Sequence, residues 1–329
     1  MNTADTLRLP WTLESSIGAY KDWLHVNLYD HDADVVGLAN VSIHGTPGDP
    51  TTHVVATALF DVGGDDWIGN VAVDGWADAS IALTGVSTGS GSIAFGPDGR
   101  ILAAATIDEL RLRLVATPAT DAYAIEAPHR FGSGWIGWRV VPSLVVDGSV
   151  ELRGVPLAEG RQVAYHDHTW GRWNWGDDIG WEWGSFLDRT GSSIVIGRTS
   201  NRAHDQCGPF SVVIDHHGVR RSFSGARVSC RWGGASDPPS RRLPGALAAL
   251  HDDLRRPRLP STLHITAQTG ADRIELAYES RSVVQLILAD PAVPGSSALH
   301  EMSGHFEATG RLAGRRFGFE GLGMVERLE

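Results

Sequence analysis

The sequence is poor in cysteine and has no long hydrophobic run. Only Cys207 and Cys230 are present in 329 residues. Two cysteines are too few for the disulfide framework of a secreted scaffold, and their spacing does not fit a zinc ribbon. No stretch stays apolar for the roughly 18 residues that a membrane-spanning helix needs, and residues 1–10 show no signal-peptide core. We therefore expect no membrane span and a reducing, cytoplasmic setting.

Positive charge is also scarce. The formal net charge is −11, whereas a protein that binds nucleic acid needs a basic surface to attract phosphates. A small cluster at Arg255, Arg256 and Arg258 is interrupted by Pro257, which is typical of a solvated loop. We expect no nucleic-acid partner, and the sequence leaves the oligomeric state open.

Short strand-like runs separated by turns fill most of the chain. A length of 329 residues predicts two domains, and we place their boundary near Gly160, giving domains 1–160 and 161–329. The β-branched runs predict an all-β fold of barrels or sandwiches, with one short helix at residues 244–254. The predicted strands cover residues 23–29, 35–44, 52–60, 80–83, 101–107, 110–116, 150–155, 194–198, 211–215, 261–268, 274–280 and 283–288.

Tryptophan is the unusual component of this sequence. It occurs 12 times, against 9 Phe and 5 Tyr, and five of these indoles lie between Trp170 and Trp183. A cluster of this kind can be plain core, since tryptophan combines a large apolar body with only one polar donor. The histidines and carboxylates beside the cluster favour a ligand pocket instead.

Alternation assigns the side chains of this region to faces. If the segment from Ala164 is a strand, His166, His168 and Trp170 share one face, and Asp167 lies on the other with Tyr165. The segment that begins at Gly180 is expected to be the next strand.

In that next strand, Trp181 and Trp183 share one face and Glu182 lies on the opposite one. Glycines at positions 180 and 184 flank Glu182 and would leave space for a ligand beside it. We expect burial among indoles to raise the pKa of Glu182, which suits a proton donor.

A metal site and a Ser/His/Asp site are the weaker interpretations. His166 and His168 form an H-x-H pair like that of cupin barrels, and His216 or His217 could be a distant third ligand. Glu182 is too far along the chain to complete that set. The sequence has no Gly-x-Ser-x-Gly elbow and no phosphate-binding loop. We expect neither a metal nor a cofactor.

Several segments resemble a known family. They are Tyr165-His166-Asp167-His168-Thr169-Trp170-Gly171, then Trp181-Glu182-Trp183, and finally Gly304-His305-Phe306-Glu307 with Gly310, Gly314, Gly321 and Glu326. These motifs are similar to those of the two-domain lipocalin-like family of carotenoid 1,2-hydratases and AttH-type proteins, to which fungal Diels-Alderases are structurally related. In the first half, only residues 23–42 are similar. The resemblance implies two tandem calycin-like units, a ligand site near their junction and chemistry without a cofactor.

The resemblance also implies roles for particular residues. In the family's hydratases a His and a Trp of the D-H-x-W-G strand line the site, which implies His168 and Trp170 here. Those enzymes take their proton from an Asp on a strand shortly downstream, but the matching residues 192–200 contain no carboxylate. The acid would therefore have to be Glu182 or Asp167, with a different substrate.

Two functions are consistent with these residues. The first is a cofactor-independent enzyme that hydrates or cyclises a large hydrophobic polyene, isoprenoid or polyketide-like substrate in natural-product biosynthesis. The second is a carrier that binds such a molecule unchanged. The catalytic candidates are Glu182, Asp167 and His168, and the substrate-binding candidates are Trp23, Tyr29, Trp170, Trp173, Trp175, Trp181 and Trp183.

Overall fold

The structure is a computed structural model that describes residues 5–8, 19–46, 49–64, 66–237, 239–243, 259–290 and 295–329. The side chains of residues 125–128 are left out of this description. The long elements of the described ranges are all strands, which confirms the predicted all-β class. Two single turns of 3-10 helix lie at Trp76–Asp78 and Gly225–Arg227. The helix predicted at residues 244–254 falls outside the described residues.

The first sheet contains twelve strands. They are β1 (Ala19–Asp30), β2 (Val35–His44), β3 (His53–Val62), β4 (Asp66–Gly75), β5 (Ser80–Ala82), β6 (Gly85–Ser87), β7 (Gly91–Phe95), β8 (Ile101–Ile107), β9 (Leu110–Pro118), β10 (Tyr123–Phe131), β11 (Gly134–Leu152) and β12 (Val155–Trp173). Their order is β4-β3-β2-β1-β12-β11-β9-β8-β7-β6-β5, with β10 paired to β11. Because β1 pairs with β12, the first and last strands of this sheet in chain order are neighbours.

The second sheet contains ten strands. They are β13 (Gly180–Leu187), β14 (Ser193–Ser200), β15 (Ser211–His216), β16 (Val219–Ser224), β17 (Val228–Gly233), β18 (Arg241–Leu243), β19 (Thr262–Thr269), β20 (Asp272–Leu288), β21 (Ser297–Leu312) and β22 (Arg315–Leu328). Their order is β16-β15-β14-β13-β22-β21-β20-β19-β17, with β18 paired to β20. One of the two sheets forms a half-barrel and the other forms a nearly closed barrel.

Period-two alternation places the cores. In β8 and β9 every second side chain is buried, and Leu110, Leu112 and Leu114 face inward. The second barrel is filled by a cluster that includes Phe186 and Tyr278. Each fully buried aliphatic or aromatic side chain contributes about 1.5–3 kcal/mol. No helix among the described residues is long and apolar enough to cross a membrane.

The chain forms two compact units that are not contiguous in sequence. The first unit comprises residues 1–60, 68–177 and 289–296, and the second comprises residues 61–67, 178–288 and 297–329. The boundary expected near Gly160 lies inside β12, and the main crossing follows Asp177 instead. The reason is a tight turn at Arg153 and Gly154, which joins β11 and β12 as neighbours in one sheet.

Most predicted strands are present, and the exceptions are informative. The runs at 35–44 and 101–107 coincide with β2 and β8. The strand predicted at 150–155 is wrong because Arg153 and Gly154 form the β11–β12 turn. Asp147 and Gly148, residue types that favour turns, lie within β11. The runs 274–280 and 283–288 form one strand, β20, with a bulge after Ser280.

Candidate functional site

Strand β12 separates its polar side chains onto two faces, as alternation predicts. Its central part is paired with β1 on one side and β11 on the other. His166, His168 and Trp170 point to one face, where Phe95 also packs against His166 with ring centroids 5.6 Å apart. Tyr165 and Asp167 point to the other face, where the Tyr165 hydroxyl donates to Asp167. The two faces therefore form different sites.

On the first of these faces, His168 is held between two carboxylates. Its Nε2 lies 2.8 Å from Asp22 Oδ1 and its Nδ1 lies 3.1 Å from Asp5 Oδ1. Burial lowers the pKa of His168, but Asp22 and Asp5 outweigh it and raise the pKa to about 9. Burial raises the pKa of Asp5, and the charge of His168 outweighs it and brings the pKa to about 2. His168 is therefore an imidazolium with both ring nitrogens engaged, so a ligand cannot use it as a base.

The second carboxylate of this trio comes from a segment near the start of the chain, Asp5–Arg8. The backbone N–H of Arg8 donates to Asp22 Oδ2 at 2.8 Å, and the Tyr20 hydroxyl donates to the Arg8 carbonyl at 2.6 Å. The Arg8 guanidinium lies 5.0 Å from the ring of Trp170. Trp170 and His168 thus anchor the Asp5–Arg8 segment, and no local pattern in the sequence predicts that contact.

The other face of β12 carries Asp167 in ordered rows of side chains. Register puts Trp23, Thr169 and Trp138 in one row across β1, β12 and β11. The next row holds His25 and Asp167, again side by side. Rows on one face follow each other at roughly 7 Å, since each residue advances about 3.3 Å along a strand. Trp23 and Trp138 are half-buried, so a buried carboxyl stands one row from two partly accessible indoles.

The surroundings of Asp167 keep it protonated more readily than an ordinary aspartate. Burial raises its pKa, and the opposing effects of His25, Tyr165 and Thr169 are smaller. The Tyr165 hydroxyl donates to Oδ2 at 2.8 Å and the Thr169 hydroxyl to Oδ1 at 3.3 Å. The ring Nε2–H of His25 donates to Asn27 Oδ1, which fixes the ring next to the carboxyl.

His25 and Trp138 are neighbours of Asp167 that no motif in the sequence identifies. Trp138 lies on β11, and only the pairing of Trp138 with Thr169 brings it there. The alternation of β1 would have placed His25 on the same face as Trp23, two residues away. The pairing partner of β1 could not be read from the sequence.

Three predicted binding residues come together at one end of this face. The ring of Trp23 lies 5.5 Å from that of Trp175 and 6.3 Å from that of Trp173, measured between centroids. Lys21 extends beneath them, with Nζ 5.2 and 5.1 Å from the Trp173 and Trp175 rings. Tyr29 lies at the far end of the same face of β1, where its hydroxyl accepts from Asn27 at 3.5 Å. Trp170 is on the opposite face of β12 and does not join this group.

In the second unit, Glu182 is an ion-paired carboxylate rather than a neutral acid. Arg198 Nε lies 2.7 Å from Oε2, Arg327 Nη1 lies 3.2 Å from Oε1, and His204 Nδ1 lies 3.3 Å from Oε1. Burial raises the pKa of Glu182, but His204 and Arg198 outweigh it and bring the pKa to about 2. The expectation of a raised pKa at Glu182 is therefore wrong, because the sequence did not show the two guanidinium partners.

The glycines beside Glu182 serve strand packing instead of leaving an open space. A Cβ at Gly180 would lie 2.6 Å from the carbonyl oxygen of Asn201, and one at Gly184 would lie 3.1 Å from the Ile196 side chain. Trp181 and Trp183 are on the opposite face of β13, as alternation predicts, and are buried. The Trp183 ring covers Gly197 of β14 so closely that a Cβ there would lie 2.4 Å from it.

Two further features bear on the predicted site: the metal-binding potential of its histidines, and the position of an open cleft. Within the described ranges, no group of three or more His, Cys, Asp or Glu side chains is arranged to hold a metal ion. His166, a candidate ligand, donates through Nδ1 to the His25 carbonyl at 2.7 Å. An open cleft of about 820 Å³ lies on β5–β9, β11 and β12, where Leu102 and Val115 are exposed beside Arg113. None of the predicted site residues lines that cleft.

Comparison with known proteins addresses the fold. No protein-family model and no curated protein matches the sequence. A structure assigned to AttH from Nitrosomonas europaea is similar with a TM-score of 0.66 and 16% identity, covering 97% of this chain and 98% of that chain. The chain shares its fold. Kievitone hydratase from Nectria haematococca is similar with a TM-score of 0.61 and 15% identity, covering 99% of this chain and 96% of that chain. The resemblance seen in the sequence is thus confirmed at the level of the fold.

Proposed function

We propose that this protein is an enzyme that protonates a large, apolar, unsaturated small molecule on the first sheet, with Asp167 as the acid. Hydration or cyclisation would follow from that protonation. The observation that supports the proposal is the position of Asp167, a buried carboxyl with a raised pKa, one row from the half-buried indoles Trp23 and Trp138. The fold shared with kievitone hydratase favours hydration.

The environment of Asp167 suits both halves of an acid's cycle. Burial favours the neutral carboxyl, so the proton is present near neutral pH more often than on an exposed aspartate. After the proton leaves, the hydroxyls of Tyr165 and Thr169 already point at the two carboxylate oxygens. Hydrogen bonds to the charged form stabilise it, so these donors lower the barrier to proton transfer.

The indoles have a separate task in this chemistry. When Asp167 protonates one carbon of a double bond, positive charge develops on the other carbon. The faces of Trp23 and Trp138 attract such a cation by about 0.5–2 kcal/mol each. In hydration, water adds to the cation and returns a proton to the Asp167 carboxylate, which restores the acid. In cyclisation, a second double bond attacks the cation, and the carboxylate removes a proton from the new ring.

A carrier is the competing function, and the buried carboxyl argues against it. A carrier needs the apolar surface of Trp23, Trp173 and Trp175 but gains nothing from burying a carboxyl group, which costs free energy unless it is fully paired. Glu182 shows the contrast, because its buried carboxylate is paired with Arg198 and Arg327. We assign Glu182 and His168 to holding the structure.

The proposal is tested by isotope-labelled turnover. The purified protein is incubated with a panel of prenylated phenols and linear polyenes in H₂¹⁸O, and products are analysed by mass spectrometry. Hydration adds one water carrying ¹⁸O, whereas cyclisation gives an isomer of unchanged mass. We expect Asp167→Asn to lower turnover by at least about a hundredfold while probe affinity stays within a few fold.

Glu182→Gln is the matched control, because it also replaces a buried carboxyl group by the amide of the same size. We expect it to retain turnover in the folded protein, since its carboxylate is already ion-paired. Turnover by Asp167→Asn at the wild-type rate would refute the proposed acid. Tight binding of the panel without any product from the wild type would identify a carrier.

A further inference from the structure

Lys21 is the only lysine in the chain, and it is completely buried. The sequence contains 28 Lys and Arg residues together, and all the others are arginine. Lys21 has 0% exposed surface. Two other buried carboxylates are paired with arginine, Glu182 with Arg198 and Asp61 with Arg281. Arginine is the usual choice for a buried ion pair, whereas lysine is the residue that can lose its proton and act as an amine. A purely structural cation gives no reason for lysine at this one position.

The surroundings of the Lys21 amine combine a proton acceptor with apolar walls. Nζ donates to the Trp173 carbonyl at 2.7 Å and to Asp290 Oδ2 at 3.2 Å. The Trp175 backbone N–H also donates to Asp290 Oδ2, at 2.7 Å, which holds that carboxylate in place. Burial lowers the pKa of Lys21 to about 8, despite the opposing charge of Asp290. At pH 8 about half of the amine is then neutral and nucleophilic.

Lys21 also shares a sheet face with the proposed acid. Register places it opposite Gly171, two rows from the pair of His25 and Asp167. Two rows correspond to about 13 Å along β1, with Trp23 between them. An elongated apolar molecule lying on Trp23 would therefore bring one end toward Lys21 and another part toward Asp167.

We propose that Lys21 condenses with an aldehyde or ketone group of the ligand to form an imine, so that the substrate is an unsaturated carbonyl compound. The neutral nitrogen adds to the carbonyl carbon, and the Asp290 carboxylate carries one proton from the nitrogen to the alkoxide oxygen, which gives the carbinolamine. Asp290 then carries the remaining nitrogen proton to the carbinolamine hydroxyl, which leaves as water while the C=N bond forms. No oxidant or reductant is needed. The proposal rests on the proposed function only for where the ligand lies.

Reductive trapping tests the imine directly. The native protein is incubated at pH 8 with cinnamaldehyde and sodium cyanoborohydride, digested and analysed by mass spectrometry. Because no other lysine exists, the α-amine of the chain is the only competing amine, and it reports that the reagents worked. We expect a reduced adduct on Lys21, formed at least about tenfold slower in Asp290→Asn, and no such adduct in Lys21→Arg.

The trapping assay tests imine formation at Lys21 independently of the proposed role of Asp167 as the acid. Asp167→Asn is expected to trap the aldehyde on Lys21 at the wild-type rate, so a failed acid assignment leaves the trapping unchanged. Labelling of the α-amine without labelling of Lys21 in the native protein would overturn the proposal. Labelling of Lys21 only after unfolding in guanidinium chloride would likewise show that the amine is a buried ion-pair partner and nothing more.

Discussion

Two buried carboxyl groups of this chain, those of Asp167 and Glu182, differ in protonation, and the neighbours of each explain why. At Asp167, burial outweighs the opposing effects of His25 and of the Tyr165 and Thr169 hydroxyls, so its pKa is raised. Glu182 is met by Arg198, Arg327 and His204, and its pKa falls to about 2. Burial raises the pKa of both carboxyl groups, and only at Glu182 are the hydrogen bonds and charges of its partners strong enough to reverse the shift.

The indoles can be sorted by the face on which they lie. We predict that Trp23→Ala weakens the binding of an apolar fluorescent probe by about 1–3 kcal/mol, because it removes an indole next to Asp167. Trp170→Ala should leave affinity within a few fold and lower the melting temperature, since Trp170 packs on His168 and Arg8. Probe titration and thermal unfolding of both variants check this. A loss of affinity confined to Trp170→Ala would place the ligand on the opposite face.

The packing of the Asp5–Arg8 segment depends on the positive charge of the His168 ring. The pKa of His168 is raised from 6.5 to about 9. A raised pKa means that the stabilisation is complete below pH 6.5 and is lost as the pH rises through 9. We predict that the free energy of unfolding falls by up to about 3 kcal/mol over that range, and that Asp5→Asn removes about 1–3 kcal/mol at pH 6.5.

Urea denaturation at several pH values measures this dependence. His168→Gln is the control, because the difference between wild type and this variant isolates the contribution of His168 from that of Lys21. If the difference does not change between pH 6.5 and 9, His168 is not the ion-paired imidazolium described.

The packing of Trp183 of β13 on β14 requires a glycine at position 197. A Cβ on Gly197 would lie 2.4 Å from the Trp183 ring, whereas one on Gly89 would meet nothing within 4 Å. We predict that Gly197→Ala lowers the free energy of unfolding by about 1–3 kcal/mol and that Gly89→Ala changes it by less than about 0.5 kcal/mol. Equal effects of the two substitutions in denaturant titrations would contradict this packing.

The sequence predicted what depends on local pattern and missed what depends on distant partners. Alternation sorted Asp167 from His168 and Glu182 from Trp183, because side-chain direction follows from strand geometry alone. It could not show that Arg198 and Arg327 reach Glu182, since those residues lie on β14 and β22 and meet it only through pairing. The Asp5 carboxylate beside His168 was invisible for the same reason.

In the whole molecule, each of the two units is built from three separate segments of the chain. Residues 289–296 belong to the first unit and supply Asp290 to Lys21, although most of the chain after Asp177 belongs to the second. A division at Gly160 would cut β12, which pairs with both β1 and β11. Length and turn content predict two units, and the limits of the units depend on strand pairing that no local signal shows.

We therefore predict that residues 1–160 and 161–329, expressed separately, do not fold. The first fragment loses the part of β12 that carries the paired segment from Asp167 to Trp173, and the second exposes that strand without partners. Cooperative denaturant unfolding of each fragment, compared with the full chain, is the measurement. Native-like cooperative unfolding of either fragment would show that a boundary near Gly160 is sufficient.

The protonation state of Asp167 tests the proposed acid most directly, and its measurement needs no substrate. The protein is labelled with ¹³C at the aspartate side-chain carboxyl, and the resonance of Asp167, assigned with Asp167→Asn, is followed by NMR as the pH changes. The predicted result is a midpoint above the ordinary aspartate value of about 3.9, while Asp5 titrates near 2. A midpoint for Asp167 at or below the ordinary value would contradict the account, because the carboxyl would then be ionised and unable to donate the proton.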